Sequence, residues 1–161
     1  MARIIGLDPA STKFGYGIID VAGARLTYVE CGVLVASPHA PKYARLASIW
    51  RDLQAVLDEF KPTEAAIESG FVKGQQGALV SGAARGVGAL ACELRGLSVA
   101  EYAPTEIKKV VTTYGTASKD SVARMVKLTL GLNVEPEPDA ADALGVAIAH
   151  ARRPTGVLLT R

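Results

Sequence analysis

The sequence is short of aromatic residues: one Trp, three Phe and five Tyr make up 6% of 161 residues. Any core must therefore be built mainly from aliphatic and small side chains. There are only two cysteines, Cys31 and Cys92, far apart and in no metal-type pair. That excludes a disulfide scaffold and a thiolate metal site, and the expectation is two buried, reduced thiols in a cytosolic protein. Two histidines are too few for an imidazole cluster. No stretch approaches the roughly 20 uncharged apolar residues that would span a bilayer, so no membrane association is expected. Met1 to Ile5 run directly into a strand-like segment, which argues against a signal peptide and for a cytoplasmic location. Internal repeats and low-complexity tracts are absent. Charge of one sign is scarce as well, since the net charge is only +2.

What is present reads as one globular domain over residues 1–161, with 49% hydrophobic and 21% charged residues. Residues 3–8 form a short apolar run ending in Asp8, and residues 9–13 are turn-like. Residues 14–21 read as a second strand, and Ala22-Gly23-Ala24 links it tightly to a third over 25–35. Short links between consecutive strands predict an antiparallel meander. The period then changes. Leu46, Ile49, Trp50, Leu53, Val56, Leu57 and Phe60 fall at spacings of three and four, one face of a helix over 43–60 stopped at Lys61-Pro62. A short strand over 64–68 again ends on an acid, Glu68. Residues 70–77 read as a glycine-rich loop, and a Gly- and Ala-rich helix follows over about 78–95. A fifth strand over 98–103, helices over 105–114 and 119–130, a proline-flanked linker and a last helix over 139–152 complete the chain. This order predicts an α/β fold with one mixed sheet and helices on its faces, strands 1 and 4 being neighbours.

Four carboxylates stand out. Asp8 and Glu68 end their strands, where open α/β sheets carry functional groups. Asp139 and Asp142 are three residues apart at the start of a helix, so they share a face. The rest of that helix is small and apolar, which demands close burial against the sheet. Singly, each acid has an ordinary reading: Asp139 as a helix cap after Pro138, Asp8-Pro9 as a turn, Glu68 as a surface acid. Jointly they point to a site. Two carboxylates about 4 Å apart repel by roughly 4 kcal/mol at an effective dielectric near 20. Four together require protonation or a cation. Oxygen ligands without His or Cys favour Mg²⁺ or Mn²⁺, and two such ions bridged by a shared carboxylate suit phosphodiester hydrolysis. Setting those four acids aside leaves 12 of the 16 acids against 18 Lys and Arg. A basic surface around an acidic hole suits a nucleic-acid backbone.

Gly6-Leu7-Asp8-Pro9 with Gly15-Tyr16-Gly17, Ala66-Ile67-Glu68 with Phe71, and Asp139-Ala-Ala-Asp142-Ala-Leu together resemble the RuvC family of bacterial Holliday junction resolvases. Tyr102-Ala-Pro-Thr-Glu-Ile-Lys108-Lys109, Gly115-Thr-Ala-Ser-Lys119, Val122 and Met125-Val126 extend the match over essentially the whole chain. The resemblance implies a ribonuclease H-like fold, with three antiparallel strands and then two parallel ones in a five-stranded mixed sheet. It implies a homodimer that makes paired, symmetric nicks across a four-way DNA junction. It further implies Mg²⁺ or Mn²⁺ held by Asp8, Glu68, Asp139 and Asp142, and DNA contacts from Lys108 and Lys119. A partnership with the RuvA–RuvB branch-migration machinery follows on the same ground. Departures from the family pattern are Ala10 after Asp-Pro, Phe14 where threonine is frequent, Lys73-Gly74-Gln75-Gln76 before the second helix, and Ser121 after Lys119. They leave the carboxylates intact and bear on DNA contacts and sequence preference.

Other residues carry two readings each. Phe71, three residues after Glu68, is either a stacking platform for an unpaired base or a loop hydrophobe tucked inward; the resemblance favours stacking. Lys73 and Arg85 are phosphate contacts or solvated charges. Ala78, Gly82 and Gly86, with Ala89 nearby, permit close approach of the sheet or of a second copy, and the resemblance places a dimer interface there. His150 is expected to be satisfied by backbone carbonyls at its helix end. Other functions compete: a ribonuclease H-like nuclease for RNA or hybrids, an actin-like nucleotide-binding domain suggested by the Asp8 turn, and a non-catalytic DNA-binding module. The actin-like reading gives no role to Asp139 and Asp142.

Overall fold

The computed structural model of the chain describes residues 1–70 and 75–153. Phe71 and Lys73 lie outside the described residues. Ten elements follow one another as β1 (Ala2–Asp8), β2 (Lys13–Ala22), β3 (Arg25–Val35), α1 (Lys42–Phe60), β4 (Glu64–Glu68), α2 (Gln75–Glu93), β5 (Val99–Tyr102), α3 (Pro104–Thr112), α4 (Lys119–Leu130) and α5 (Pro138–Ala151). The five strands form one sheet in the order β3-β2-β1-β4-β5. β1, β2 and β3 pair antiparallel, whereas β1–β4 and β4–β5 are parallel. The expected mixed sheet, with β1 beside β4, is therefore what forms. Gly23 turns the chain between β2 and β3 at φ +61°, a conformation that costs glycine little.

Element ends depart from the sequence reading by a turn or less, most visibly in α2. That helix begins at Gln75 rather than 78, because Gln75 and Gln76 are good helix formers, and the loop reading of 70–77 extends too far. Its far end closes at Gly96 (φ +75°), where the Leu97 N–H reaches back to the Cys92 carbonyl at 3.1 Å.

The strands' two-residue period divides their side chains between two cores. Ile5, Leu7, Phe14, Ile18, Ala65 and Ile67 pack with Ile49, Leu53, Val56 and Leu57 of α1 and Ala91 and Cys92 of α2. Ile4, Ile19 and Ala66 pack with residues of α3, α4 and α5 on the other face. Phe14 is fully buried. Its departure from the family pattern thus lies in the core and not on the surface.

On the second face α5 lies unusually close to the strands. A Cβ at Gly6 would stand 2.2 Å from the Ala143 carbonyl oxygen, one at Gly15 2.1 Å from the Asp139 carbonyl oxygen, and one at Gly17 2.7 Å from the Leu144 nitrogen. Only glycine fits these strand positions. From Ala140 to His150 every residue of α5 except Asp142 is buried, as the apolar composition of this helix requires.

Candidate active site

The period-2 alternation that places Ile4 and Gly6 under α5 carries Asp8 to the same face, and Glu64, Ala66 and Glu68 follow the same rule on β4. β1 and β4 run parallel in the register Leu7 to Ile67, so their terminal acids emerge side by side. The first turns of α5, held against Gly15 and Gly17, bring Asp142 over these strand ends. Asp8, Glu68 and Asp142 then line one pocket of about 140 Å³, together with Pro104, Ile107 and Lys108 of α3 and Lys119 and Val122 of α4.

Asp139 sits less deeply. Its carbonyl backs onto Gly15, and its carboxylate contributes the weakest of the acidic influences on Asp8 without lining the pocket. The structure thus brings three of the four acids to one pocket and leaves Asp139 at its margin. Lys108 and Lys119 join the pocket, and Arg85 lines an adjoining one.

Electrostatics register the crowding. Burial, then Glu68, Asp142 and Asp139, push the Asp8 carboxyl up to about 7, with Lys119 acting in the opposite sense. Burial and Asp142 raise Glu68 as well, while Lys119 and Lys108 oppose the rise. The Lys119 ammonium donates to Asp142 Oδ2 at 2.9 Å and is itself held in the charged form, above all by that bond. As the side chains stand, no three acidic, His or Cys groups among the described residues converge closely enough to clasp an ion. A lysine ammonium supplies the positive charge that the cluster demands. The donor set is oxygen-only, with Asp8 and Glu68 held at raised proton affinity, and it fits a hard divalent cation.

His150 differs from expectation. It is 3% exposed, and side chains satisfy it rather than backbone carbonyls: Nδ1 pairs with the Tyr102 hydroxyl at 2.9 Å and Nε2 with Glu64 Oε2 at 3.0 Å. Glu64 begins the strand that Glu68 ends, about 13 Å away at the usual rise per residue. His150 therefore braces α5 against β4 and β5, away from the carboxylates.

Sequence reasoning passed over Ser81, which shares a pocket with Arg85, and Pro104, which lines both pockets. The spacing of Ser81 and Arg85, four residues apart on a helix, was the available signal. It also gave no structural role to Gly6, Gly15 and Gly17, whose alternation with large residues marks a strand face under a closely packed helix.

The family model described as Crossover junction endodeoxyribonuclease RuvC matches residues 4–150. A protein of that description from Afipia carboxidovorans is 44% identical over 160 residues, 99% of this chain and 94% of that protein. Another from Bradyrhizobium diazoefficiens is 46% identical over 150 residues, 92% of this chain and 86% of that protein. Among solved structures, that of T. thermophilus RuvC in complex with Holliday junction substrate superposes with a TM-score of 0.86 at 33% identity. The alignment covers 94% of this chain and 93% of that one. With its ribonuclease H-like sheet and its carboxylate pocket, the chain belongs to the RuvC family of crossover junction endodeoxyribonucleases.

Proposed function

We propose that this protein is a metal-dependent, structure-specific endonuclease that resolves four-way DNA junctions by paired, symmetric nicks. The observation that carries the proposal is the convergence of Asp8, Glu68 and Asp142 on one pocket rimmed by Lys108 and Lys119. Nucleases of this family depend on divalent metal. Here Asp8, Glu68, Asp139 and Asp142 would hold Mg²⁺ or Mn²⁺, two ions per site. When bound, such ions activate a water for attack and stabilise the departing oxygen of a phosphodiester.

The chain's own groups do the remaining work. Asp8 and Glu68, fixed by adjacent parallel strands, form a rigid floor. Asp142 closes it from α5, and Asp139 supports it from the margin. Lys108 and Lys119 present ammonium groups to a phosphate entering from the α3–α4 side and draw the backbone against that floor. Arg85 binds backbone phosphate from α2. Phe71 stacks on a base at the junction, and Lys73 contacts the phosphates beside it.

A homodimer suits a nearly twofold-symmetric substrate, because it presents two identical sites. The exposed stripe of α2 supports it. Leu79 and Leu90 are 68% and 54% exposed, and a Cβ added at Gly82 or Gly86 between them would meet nothing within 4 Å. An apolar face without a cover invites a second copy. No helix among the described residues is long and apolar enough to cross a membrane. The proposal is completed by a single domain over 1–161, a cytoplasmic setting and action alongside the RuvA–RuvB complex.

The test is incubation with synthetic four-way junctions, linear duplexes and RNA–DNA hybrids, with Mg²⁺ or Mn²⁺, beside Asp8→Asn and Asp142→Asn. Paired junction nicks that fall by about 10³-fold in both variants are expected. Equal cutting of linear duplex or hybrid, or activity surviving both substitutions, would overturn the proposal.

A further inference from the structure

Beside the carboxylate pocket lies a second one, of about 210 Å³. The two share Asp8, Glu68 and Pro104 and so meet along the ends of β1 and β4. Their other walls differ. Lys108 and Lys119 reach the first pocket from α3 and α4. Ser81 and Arg85 reach the second from α2, which packs on the opposite face of the sheet.

Three observations bear on what this second pocket takes. Arg85 forms no ion pair with Asp8 or Glu68; the cations that act on those acids are Lys119 and Lys108. Its positive charge is therefore not consumed by the carboxylates it borders. Ser81 lies one helical turn earlier on the same face and lines the same pocket as Arg85. Gly70 lines the pocket too, and a Cβ there would crowd it, standing 3.1 Å from Glu68 Oε1 and 3.5 Å from Pro104 Cγ. A guanidinium, a hydroxyl and a glycine that adds no side chain suit a tetrahedral oxyanion.

We infer that this pocket seats the DNA backbone phosphate next to the scissile one, held by the Arg85 guanidinium and the Ser81 hydroxyl. The inference rests on the nuclease reading above. Asp8 and Glu68 then form a ridge between two phosphate seats, with lysines on one side and an arginine on the other. A phosphate set beside two carboxylates needs a cation on its outer side, and Arg85 supplies it. The cut strand is gripped from both faces of the sheet, so it lies across the ridge rather than along one flank.

The experiment uses the whole protein and a labelled synthetic junction, with binding followed by fluorescence anisotropy in EDTA between about 50 and 200 mM salt. Arg85→Gln is expected to weaken binding roughly tenfold and to flatten the slope of log K against log salt by about 0.9, one phosphate contact. Arg85→Lys should restore the slope, and Ser81→Ala should weaken binding a few-fold without changing it. In Mg²⁺, Arg85→Gln should raise KM about tenfold and leave kcat within about twofold, the signature of binding lost equally in ground and transition states. An unchanged salt slope in a variant that melts like the parent overturns the inference. Tighter Mg²⁺ binding by DNA-free Arg85→Gln, with junction affinity intact, overturns it too, because the pocket would then be a cation seat. Failure of the parent protein to nick any junction counts against the nuclease reading and is distinguishable, since the salt slope is read without cutting.

Discussion

The two faces of the sheet solve the packing problem in opposite ways. Toward α1 and α2 the strands present large side chains, Ile5, Leu7, Phe14, Ile18 and Ile67, and the notch is cut into the helix: a Cβ at Gly88 of α2 would stand 2.8 Å from Phe14 Cζ. Toward α5 the notches are cut into the strands, at Gly6, Gly15 and Gly17, and the helix backbone settles into them. The first face is a conventional hydrophobic core. The second trades apolar area for proximity, and proximity lets a helix deliver Asp142 onto the ends of β1 and β4. Stability and chemistry are thus divided between the faces of one sheet, and the acids belong to the face with little room for relaxation.

The comparison can be broken most forcefully at Asp8. A carboxyl with an ordinary value of 3.8 that folding raises to about 7 binds its proton more tightly in the folded state. Its cost to stability is therefore absent below about pH 4, grows as pH rises through 4 to 7, and is complete above 7. That penalty amounts to roughly 4 kcal/mol as an upper bound. Thermal melts in EDTA should show the parent losing stability relative to Asp8→Asn across that window, and Mg²⁺ should cancel the difference. A constant difference from pH 4 to 8 would contradict the crowding.

Next in size is Gly6→Ala. The new methyl meets backbone rather than a flexible side chain, so α5 must lift, at a cost of about 3 kcal/mol by urea denaturation and with nicking lost in whatever still folds. Gly88→Ala on the other face meets the tip of Phe14, and should cost about 1–2 kcal/mol that Phe14→Leu largely recovers, with nicking per folded molecule preserved. Recovery of Gly6→Ala by a similar side-chain trim would erase the distinction between the faces. The smallest effect is expected from Lys119→Met. Its pair with Asp142 is mostly exposed on the lysine side, so removing the ammonium should tighten Mg²⁺ binding by DNA-free protein only a few-fold, while nicking slows. Titration calorimetry and a junction assay separate the two outcomes, and weaker metal binding would show that the lysine assists the ion instead of competing with it.

Much of this was legible in the chain. Strand and helix periods placed all ten elements, because amphipathic patterns of 2 and 3.6 residues are local properties of the sequence. Asp8 and Glu68 announced themselves as acids closing apolar runs, and Asp139 and Asp142 as acids on a helix otherwise fit only for burial. What was not legible depended on distance across the fold. Nothing local says that Asp142 faces the pocket while Asp139 stays at its margin, or that Lys119 reaches Asp142 from 23 residues earlier. Of the partners of His150, Arg153 is local, but Tyr102 and Glu64 come from two strands distant in sequence and nothing near His150 announces them.

By itself, then, the sequence determined the identity of the elements, their order, the inventory of oxygen ligands and the family pattern, since each is written in spacing and side-chain chemistry along one dimension. Only the tertiary structure decided how far α5 sinks into the glycine notches, which three acids share a pocket, and that Arg85 meets the same ridge from the other face. Those outcomes turn on backbone-to-backbone approach of a few ångströms between segments up to about 140 residues apart, as with Gly6 and Ala143, and packing of that kind is settled only when the whole core closes.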